Sequence, residues 1–150
     1  IAEKEPVVAE PIEVCGKEWK MTCVSMGNPH AVIFIDTPVK EFPLETYGPL
    51  FESHERFPKR TNTEFVRVLD RKTMEMRVWE RGSAETLACG TGTCATVVAC
   101  VLNDLTDHEI TVHLLGGDLY LNYDENEDTV WMTGPAAVIC DGEIDISGLE

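Results

Sequence analysis

The chain has 150 residues, 43% hydrophobic and 26% charged, which is typical of one globular domain with a substantial core. Its formal net charge of -15 argues against a nucleic-acid partner, because phosphate binding requires clustered Lys and Arg. No basic run, spanning apolar stretch or signal peptide is visible, which argues against a membrane role. Because the sequence begins at Ile1 and not at Met, we expect it to be a piece of a longer protein.

The first third of the chain predicts strands and one helix. Residues 1–13 are expected to form an entering extended segment, an edge strand or a linker, and residues 13–25 a strand–turn–strand unit. A turn over 26–30 leads into a buried strand over 31–35. Helical spacing of apolar residues then predicts a surface helix over 43–54, packed on the sheet.

From residue 61 the apolar pattern changes to alternation. Residues 65–69 and 74–80 predict two paired strands joined by a polar turn. Glu80 continues a row of apolar, core-facing side chains, where a carboxylate is costly unless it is paired or functional. Glu80 and Arg81 would suit a structural ion pair, but they stand one short loop before Cys89, so we interpret them as part of a site.

The stretch Ala88-Cys89-Gly90-Thr91-Gly92-Thr93-Cys94-Ala95 opens a helix over roughly 92–103 that is apolar on almost every face. Such a helix must be buried. Its first turn presents unpaired N–H groups and the positive end of the dipole, which together form an anion site. Cys89 lies just ahead, where a helix N-terminus stabilises thiolate. The stretch therefore predicts a reactive thiolate beside a carboxylate or phosphate pocket.

Alternating residues after this helix predict a hairpin over 110–123 and further strands over 129–133 and 136–140. Another alternating run lies at 144–146, and we interpret the acidic cluster at 124–128 as a solvated loop. The predicted architecture is an α+β domain in which a mostly antiparallel β-sheet, arranged as a meander, curls around one buried central helix.

The cysteines and histidines indicate neither a disulfide framework nor a metal site. The six cysteines lack disulfide spacing and no CxxC pair occurs, while the four histidines are scattered. Free cysteines in an apolar helix usually act as small hydrophobes. The composition therefore indicates a reducing compartment, the cytoplasm.

Four motifs, in the right order, resemble diaminopimelate epimerase. They are Gly27-Asn28-Pro29-His30, Thr61-Asn62-Thr63-Glu64-Phe65, Trp79-Glu80-Arg81-Gly82 and Glu85-Thr86-Leu87-Ala88-Cys89-Gly90-Thr91-Gly92-Thr93-Cys94-Ala95. The resemblance covers about residues 14–146. It implies that residues 1–150 form a single domain, the C-terminal lobe of a two-lobe enzyme whose N-terminal lobe is absent from this chain.

The family is cofactor-independent and inverts the α-carbon of LL-diaminopimelate to give the meso form, a precursor of lysine and cell wall. It uses two cysteines on opposite faces of the substrate, one as thiolate base and the other as thiol acid. The resemblance implies that Cys89 is one of this pair and that Gly90 and Thr91 supply backbone donors to the α-carboxylate. Helix N–H groups aimed at that carboxylate would stabilise the carbanion charge as it develops.

The resemblance assigns the remaining site residues to substrate binding and to tuning of the thiol. Asn28, Asn62 and Arg81 would hold the distal amino acid group or the α-amino group of the substrate. His30 and Glu80 would tune the thiol and bind the reacting ammonium. The implied partners are a small amino-acid substrate and the missing lobe, and a homodimer stays open.

The second catalytic cysteine is the main departure from the family pattern. In the family it lies in a Cys-Gly-Asn-Gly segment of the N-terminal lobe, and no such segment occurs here. Cys15 precedes Gly16, but no helix is predicted there, and Cys23 and Cys140 fall in predicted strands. We therefore expect the chain alone to be half an active site and catalytically silent, with an apolar interlobe face that promotes self-association.

Three other functions remain open. One is a related two-cysteine isomerase, of the proline, hydroxyproline or phenazine-biosynthesis type. The set Asn28, Asn62 and Arg81 argues against it, because this set favours a substrate with a second amino acid head. In a non-catalytic binding domain Cys89 would be structural, whereas a thiolate should alkylate ahead of the other five cysteines. A nucleotide phosphate site at residues 90–93 lacks the lysine of a P-loop.

Overall fold

One mixed sheet, with a helix packed on each of its faces, organises the computed structural model, which describes residues 6–148. The strands are Glu10–Val14 (β1), Lys17–Ser25 (β2), Pro29–Phe34 (β3), Asn62–Asp70 (β4), Thr73–Glu80 (β5), Ala84–Thr86 (β6), Glu109–Leu114 (β7), Gly117–Asp124 (β8) and Thr129–Thr133 (β9). The helices are Leu44–Glu52 (α1) and Gly90–Leu102 (α2). Neither helix is long and apolar enough to cross a lipid bilayer.

The sheet has the order β1-β2-β3-β4-β5-β7-β8-β9, and β6 pairs with β5 beside this path. Most neighbouring strands are antiparallel, so the predicted α+β class is confirmed. The predicted meander is wrong, because the pairs β3–β4 and β5–β7 are parallel. Parallel neighbours require a long crossover, and α1 and α2 lie in those two connections.

Helix α2 is the buried central helix that the sequence predicts, although it begins two residues earlier than expected. It contacts strands from both ends of the sheet, β2, β3 and β4 on one side and β8 and β9 on the other, so the sheet curls around it. Its apolar side chains share one core with the inward-facing residues of β3, β4, β5, β7 and β8. Burial on nearly every side fixes the position of its N-terminus.

Helix α1 packs on the opposite face of the sheet, against a second core. There Phe51 packs edge-to-face with Trp19 and Phe65, at ring-centroid distances of 5.8 and 5.4 Å. The predicted surface helix over 43–54 is thus confirmed within a residue or two, with Pro43 as its N-cap. His54 follows the helix, where its Nε2 lies 3.1 Å from the backbone oxygen of Glu13.

The two termini differ in how well the predictions hold. Residues 1–5 of the predicted entering segment lie outside the described residues, but Val7 O accepts a hydrogen bond from Cys23 N, and β1 is an edge strand. The strand predicted at 136–140 is wrong, because no strand occurs between residues 134 and 148, where the alternating run at 144–146 also lies. A strand needs a hydrogen-bonding neighbour, and this segment leaves the sheet with its side chains exposed; Ile139 is 96% exposed.

Candidate active site

Three adjacent strands place polar side chains side by side near the start of α2. His30 of β3 lies opposite Asn62 of β4 in the parallel register. Thr63 pairs with Trp79 of β5, so Glu80 comes next to Asn62. Successive strand residues alternate between faces, and this row continues the face whose apolar residues pack against α2. The face of the sheet that packs against α2 is therefore apolar along most of its length and ends in a row of polar side chains.

Cys89 occupies the N-cap of α2, with extended backbone angles (φ -134°, ψ 108°). Its Sγ accepts a hydrogen bond from Gly92 N at 3.4 Å and lies 3.7 Å from the Thr91 hydroxyl oxygen. Gly90 and Thr91 are exposed, and helix geometry directs the N–H groups of a first turn out of the N-terminus. The structure therefore places Cys89, Gly90 and Thr91 at the mouth of the buried helix, as the sequence predicts.

The pKa of Cys89 departs from the sequence-based expectation. Burial raises the pKa of this thiol above its usual value, and the charges of Glu80 and Glu64 act in the same direction. The bonds from Gly92 N–H and from the Thr91 hydroxyl lower the pKa, but they do not offset desolvation. The expected ready loss of the proton is therefore wrong for this chain by itself, although the helix N-terminus does contact the sulfur.

A chain of hydrogen bonds leads from the mouth of α2 into the sheet. Asn28 Nδ2 donates to Thr91 Oγ1 at 3.2 Å, and Asn28 Oδ1 lies 3.2 Å from His30 Nε2. His30 Nδ1 in turn lies 2.6 Å from Glu64 Oε1. The predicted site residues Asn28, His30 and Thr91 thus form one network beside Cys89.

Glu64 is a site residue for which the sequence predicts no role. Its side chain has 0% exposure and points to the α2 side of β4. Burial raises its pKa from the ordinary 4.5 to about 7, although the hydrogen bond to His30 acts in the opposite direction. The available signal was period-two alternation from Val66 back through Glu64 to Asn62. The predicted strand began at Phe65, which hid that face.

Asn62 and Arg81 meet at the edge of the site. Asn62 Nδ2 donates to Pro29 O at 3.0 Å, and its Oδ1 accepts from Arg81 N at 2.9 Å. The exposed Arg81 guanidinium donates one hydrogen bond to Lys59 O at 3.2 Å. Asn62 therefore joins the loop before β3 to the end of β5, and its expected contact with substrate stays a prediction.

Glu80 and Glu52 hold the chain between β5 and α2. The Thr86 hydroxyl donates to Glu80 Oε1. Glu52 of α1 accepts hydrogen bonds from Trp79 Nε1 at 2.8 Å and from Gly82 N at 2.9 Å. Burial alone would raise the pKa of Glu52, but these bonds and Arg60 hold it below its ordinary value. The turn that carries Glu80 and Arg81 is therefore fixed from the helix on the far face.

Gly92 allows the sheet to approach the helix terminus closely. A Cβ on Gly92 would lie 2.6 Å from Glu64 Oε1 and 3.2 Å from Cys89 Sγ, and real Cβ atoms essentially never come within 3.0 Å of another atom. The missing side chain brings the buried carboxyl and the thiol to the same first turn.

Solved structures agree with the fold. The phenazine biosynthesis protein of the PhzF family from Bacillus anthracis aligns with a TM-score of 0.51 over 75% of this chain and 37% of that chain. The sequence identity is 21%, so this likeness concerns the fold alone.

The sequence matches one family along most of its length. Residues 22–139 match the family model described as diaminopimelate epimerase. The diaminopimelate epimerase of Agathobacter rectalis is 64% identical over 140 residues, covering 93% of this chain and 49% of the relative. That of Acetivibrio thermocellus is 56% identical over 148 residues, covering 99% of this chain and 52% of the relative. The chain spans about half the length of these curated relatives, and it belongs to the diaminopimelate epimerase family.

Proposed function

We propose that this chain is the C-terminal lobe of a two-lobe enzyme that converts LL-diaminopimelate to meso-diaminopimelate, and that Cys89 is one of its two catalytic cysteines. The observation that carries the proposal is the position of Cys89. The thiol caps a buried helix beside a network of Asn28, His30 and Glu64. The family membership supplies the reaction class. The named relatives are about twice as long as this chain, which agrees with a second lobe.

The mouth of α2 would bind the α-carboxylate of the substrate. The N–H groups of Gly90 and Thr91 and the positive end of the helix dipole favour a negative group there. Removing the α-proton sends charge into that carboxylate, so donors aimed at it stabilise the transition state more than the ground state. No cofactor is required for this step.

The proton transfer involves two faces of the α-carbon. One cysteine thiolate accepts the α-proton on one face, and the thiol of the other cysteine donates its proton to the opposite face, so the number of protons on the substrate is unchanged. The raised pKa of Cys89 means that it rests as a thiol in this chain. We propose that the substrate ammonium, bound by Glu80, offsets the negative charge that raises the Cys89 pKa.

The distal end of the substrate would meet Asn28 and Arg81. The Arg81 guanidinium is exposed, and its hydrogen bond to Lys59 O uses one of its five N–H donors. A guanidinium binds a carboxylate through two parallel hydrogen bonds, which suits the second amino acid head of diaminopimelate. Asn62 would act by holding the Arg81 backbone in place.

The second lobe would cover apolar surface that is exposed here. The segment after β9 carries Val138 at 82% exposure, together with exposed Ile139, Ile144 and Ile146. Contiguous exposed apolar residues usually mark interaction sites. By itself the chain should therefore self-associate, and a homodimer is one form this would take. The thiols of Cys15, Cys89 and Cys140 are free, which suits the reducing cytoplasm.

A chimera tests the proposal. The matching 140 residues of the Agathobacter rectalis epimerase are replaced by those of this chain, and loss of the α-proton signal of LL-diaminopimelate in D2O is followed by proton NMR. We expect exchange with the chimera and none with this chain alone. Cys89→Ala should abolish exchange, whereas Cys94→Ala, a buried thiol of the same helix, is the matched control. Exchange that survives Cys89→Ala unchanged would overturn the proposal.

A further inference from the structure

Glu64 lies deeper than the residues expected to touch substrate, yet it interacts with three titratable groups of the site. His30 of β3 contacts it directly, Glu80 of β5 raises its pKa through charge, and Cys89 at the start of α2 is close enough to be affected by it. A Cβ on Gly92 would lie 2.6 Å from Glu64 Oε1 and 3.2 Å from Cys89 Sγ, so these two atoms are at most about 6 Å apart. A negative charge on Glu64 therefore raises the pKa of the Cys89 thiol.

The hydrogen bonds determine how many protons the Glu64–His30 pair holds. Asn28 directs its Nδ2 at Thr91, so its Oδ1 faces His30 Nε2 and can only accept a hydrogen bond. His30 Nε2 must therefore carry a hydrogen. At 2.6 Å, Nδ1 and Glu64 Oε1 hold a single proton between them, since two bare acceptors would repel and two hydrogens would clash. Wherever that proton sits, the pair has no net charge.

Burial supports the uncharged state. Glu64 Oε2 is buried and has no hydrogen-bond partner among residues 6–148. An ionised carboxylate with one oxygen left unsatisfied in an apolar interior costs several kcal/mol, whereas the carbonyl oxygen of a neutral acid costs much less. The raised pKa of Glu64 agrees with this reading of the contacts.

We infer that Glu64 is a positioning residue which, by sharing one proton with His30 Nδ1, directs His30 Nε2–H at Asn28 and keeps the pair uncharged next to Cys89. The inference concerns how the proposed epimerase site is held, and in that respect it rests on the proposed function. Glu64 acts through His30, Asn28 and Thr91, and it does not touch the substrate.

Loss of the shared proton has two consequences. Glu64 becomes a negative charge near the sulfur, which opposes thiolate formation. His30 must also move its remaining hydrogen to Nδ1, which leaves Nε2 facing another acceptor on Asn28. The Asn28 amide would then turn over, so that its Oδ1 accepts from the Thr91 hydroxyl, which would no longer donate to Cys89 Sγ. The shared proton therefore keeps Asn28 donating to the Thr91 hydroxyl, which lies beside Cys89 Sγ.

The experiment measures the tautomer and the thiol in this chain. Nitrogen NMR of histidine-labelled protein at pH 6 should show His30 Nε2 as a protonated, pyrrole-type nitrogen. The alkylation rate of Cys89 by iodoacetamide is then measured against pH by peptide mass spectrometry. The pKa of the Cys89 thiol is raised, so the thiol titrates at a pH where the pair has lost its shared proton and Glu64 is charged. Glu64→Gln removes that negative charge, which lies within about 6 Å, and the midpoint should fall by roughly one pH unit. Glu64→Asp, which retains the charge, should stay near the wild-type midpoint.

Glu75→Gln is the matched control, since it removes a partly buried carboxylate of β5 that pairs with Arg67 outside this site. Its alkylation midpoint should not change. A bare His30 Nε2 in the wild type would overturn the inference even if Glu64→Gln does not fold, and so would an unchanged midpoint in a folded Glu64→Gln. Failure of the proposed function would show separately, as absence of α-proton exchange in the unmutated chimera, because neither readout here requires turnover.

Discussion

Replacing Gly92 by alanine tests how closely the sheet approaches the helix terminus. The new Cβ would lie 2.6 Å from Glu64 Oε1, an atom held by its bond to His30, and 3.2 Å from Cys89 Sγ. Gly90→Ala is the matched control in the same helical turn, because its Cβ would meet only the flexible end of Met132, at 3.4 Å.

The expected magnitude combines two opposing effects. Alanine is favoured over glycine in a helix by up to about 1 kcal/mol. Overpacking a buried site costs about 1–3 kcal/mol, since the buried carboxyl must move and its short bond must lengthen. The propensity gain is common to both variants, so Gly92→Ala should be about 1–3 kcal/mol less stable than Gly90→Ala. For a domain of this size that corresponds to a difference in Tm of roughly 3–9 °C.

Urea unfolding followed by circular dichroism measures the two variants against the wild type. Gly90→Ala should match or exceed the wild-type stability, and Gly92→Ala should fall below it. If Gly92→Ala is as stable as Gly90→Ala, the carboxyl of Glu64 does not pack against this turn, and the reasoning on the site geometry is refuted.

Three further predictions concern the network and the thiols. Burial raises the folded pKa of Glu64 from the ordinary 4.5 to about 7, so its neutral form stabilises the fold at acidic pH and this contribution is lost as the pH rises through about 7; Glu64→Gln should remove this decline in urea titrations. Asn62→Ala should cost about 1–2 kcal/mol and speed hydrogen exchange at the Arg81 amide, and an unchanged exchange rate would contradict the proposed crosslink. Exposed Cys140 should alkylate before Cys89 at neutral pH, and the reverse order would mean that the helix terminus outweighs burial.

The sequence predicted those elements whose residues lie close together in the chain, namely single helices, single strands and hairpins. The apolar run after Gly92 predicted a buried helix because no face of it suits water, and period-two alternation predicted the hairpin of β7 and β8. The parallel pairing of β3 with β4 was missed, because it joins strands 28 residues apart in the chain and no local pattern reports it. The segment at 136–140 alternates like a strand but has no neighbour in the described chain.

Site residues that stand in recognisable motifs were predicted. Properties that depend on burial and on contacts between distant strands were missed. Cys89 at the helix mouth followed from the sequence. Its raised pKa did not, since it depends on burial and on charges from two other strands. Glu64 could have been found from the face that it shares with Asn62, but its contact with His30 depends on the register of two parallel strands.

We propose that Cys89 is the catalytic cysteine which this chain supplies to a diaminopimelate epimerase site. The most direct test is α-proton exchange of LL-diaminopimelate in D2O by the chimera with the Agathobacter rectalis enzyme, measured with and without Cys89→Ala. We expect exchange by the chimera and its loss on Cys89→Ala, with Cys94→Ala still active. Exchange at an equal rate in the Cys89→Ala chimera would contradict it.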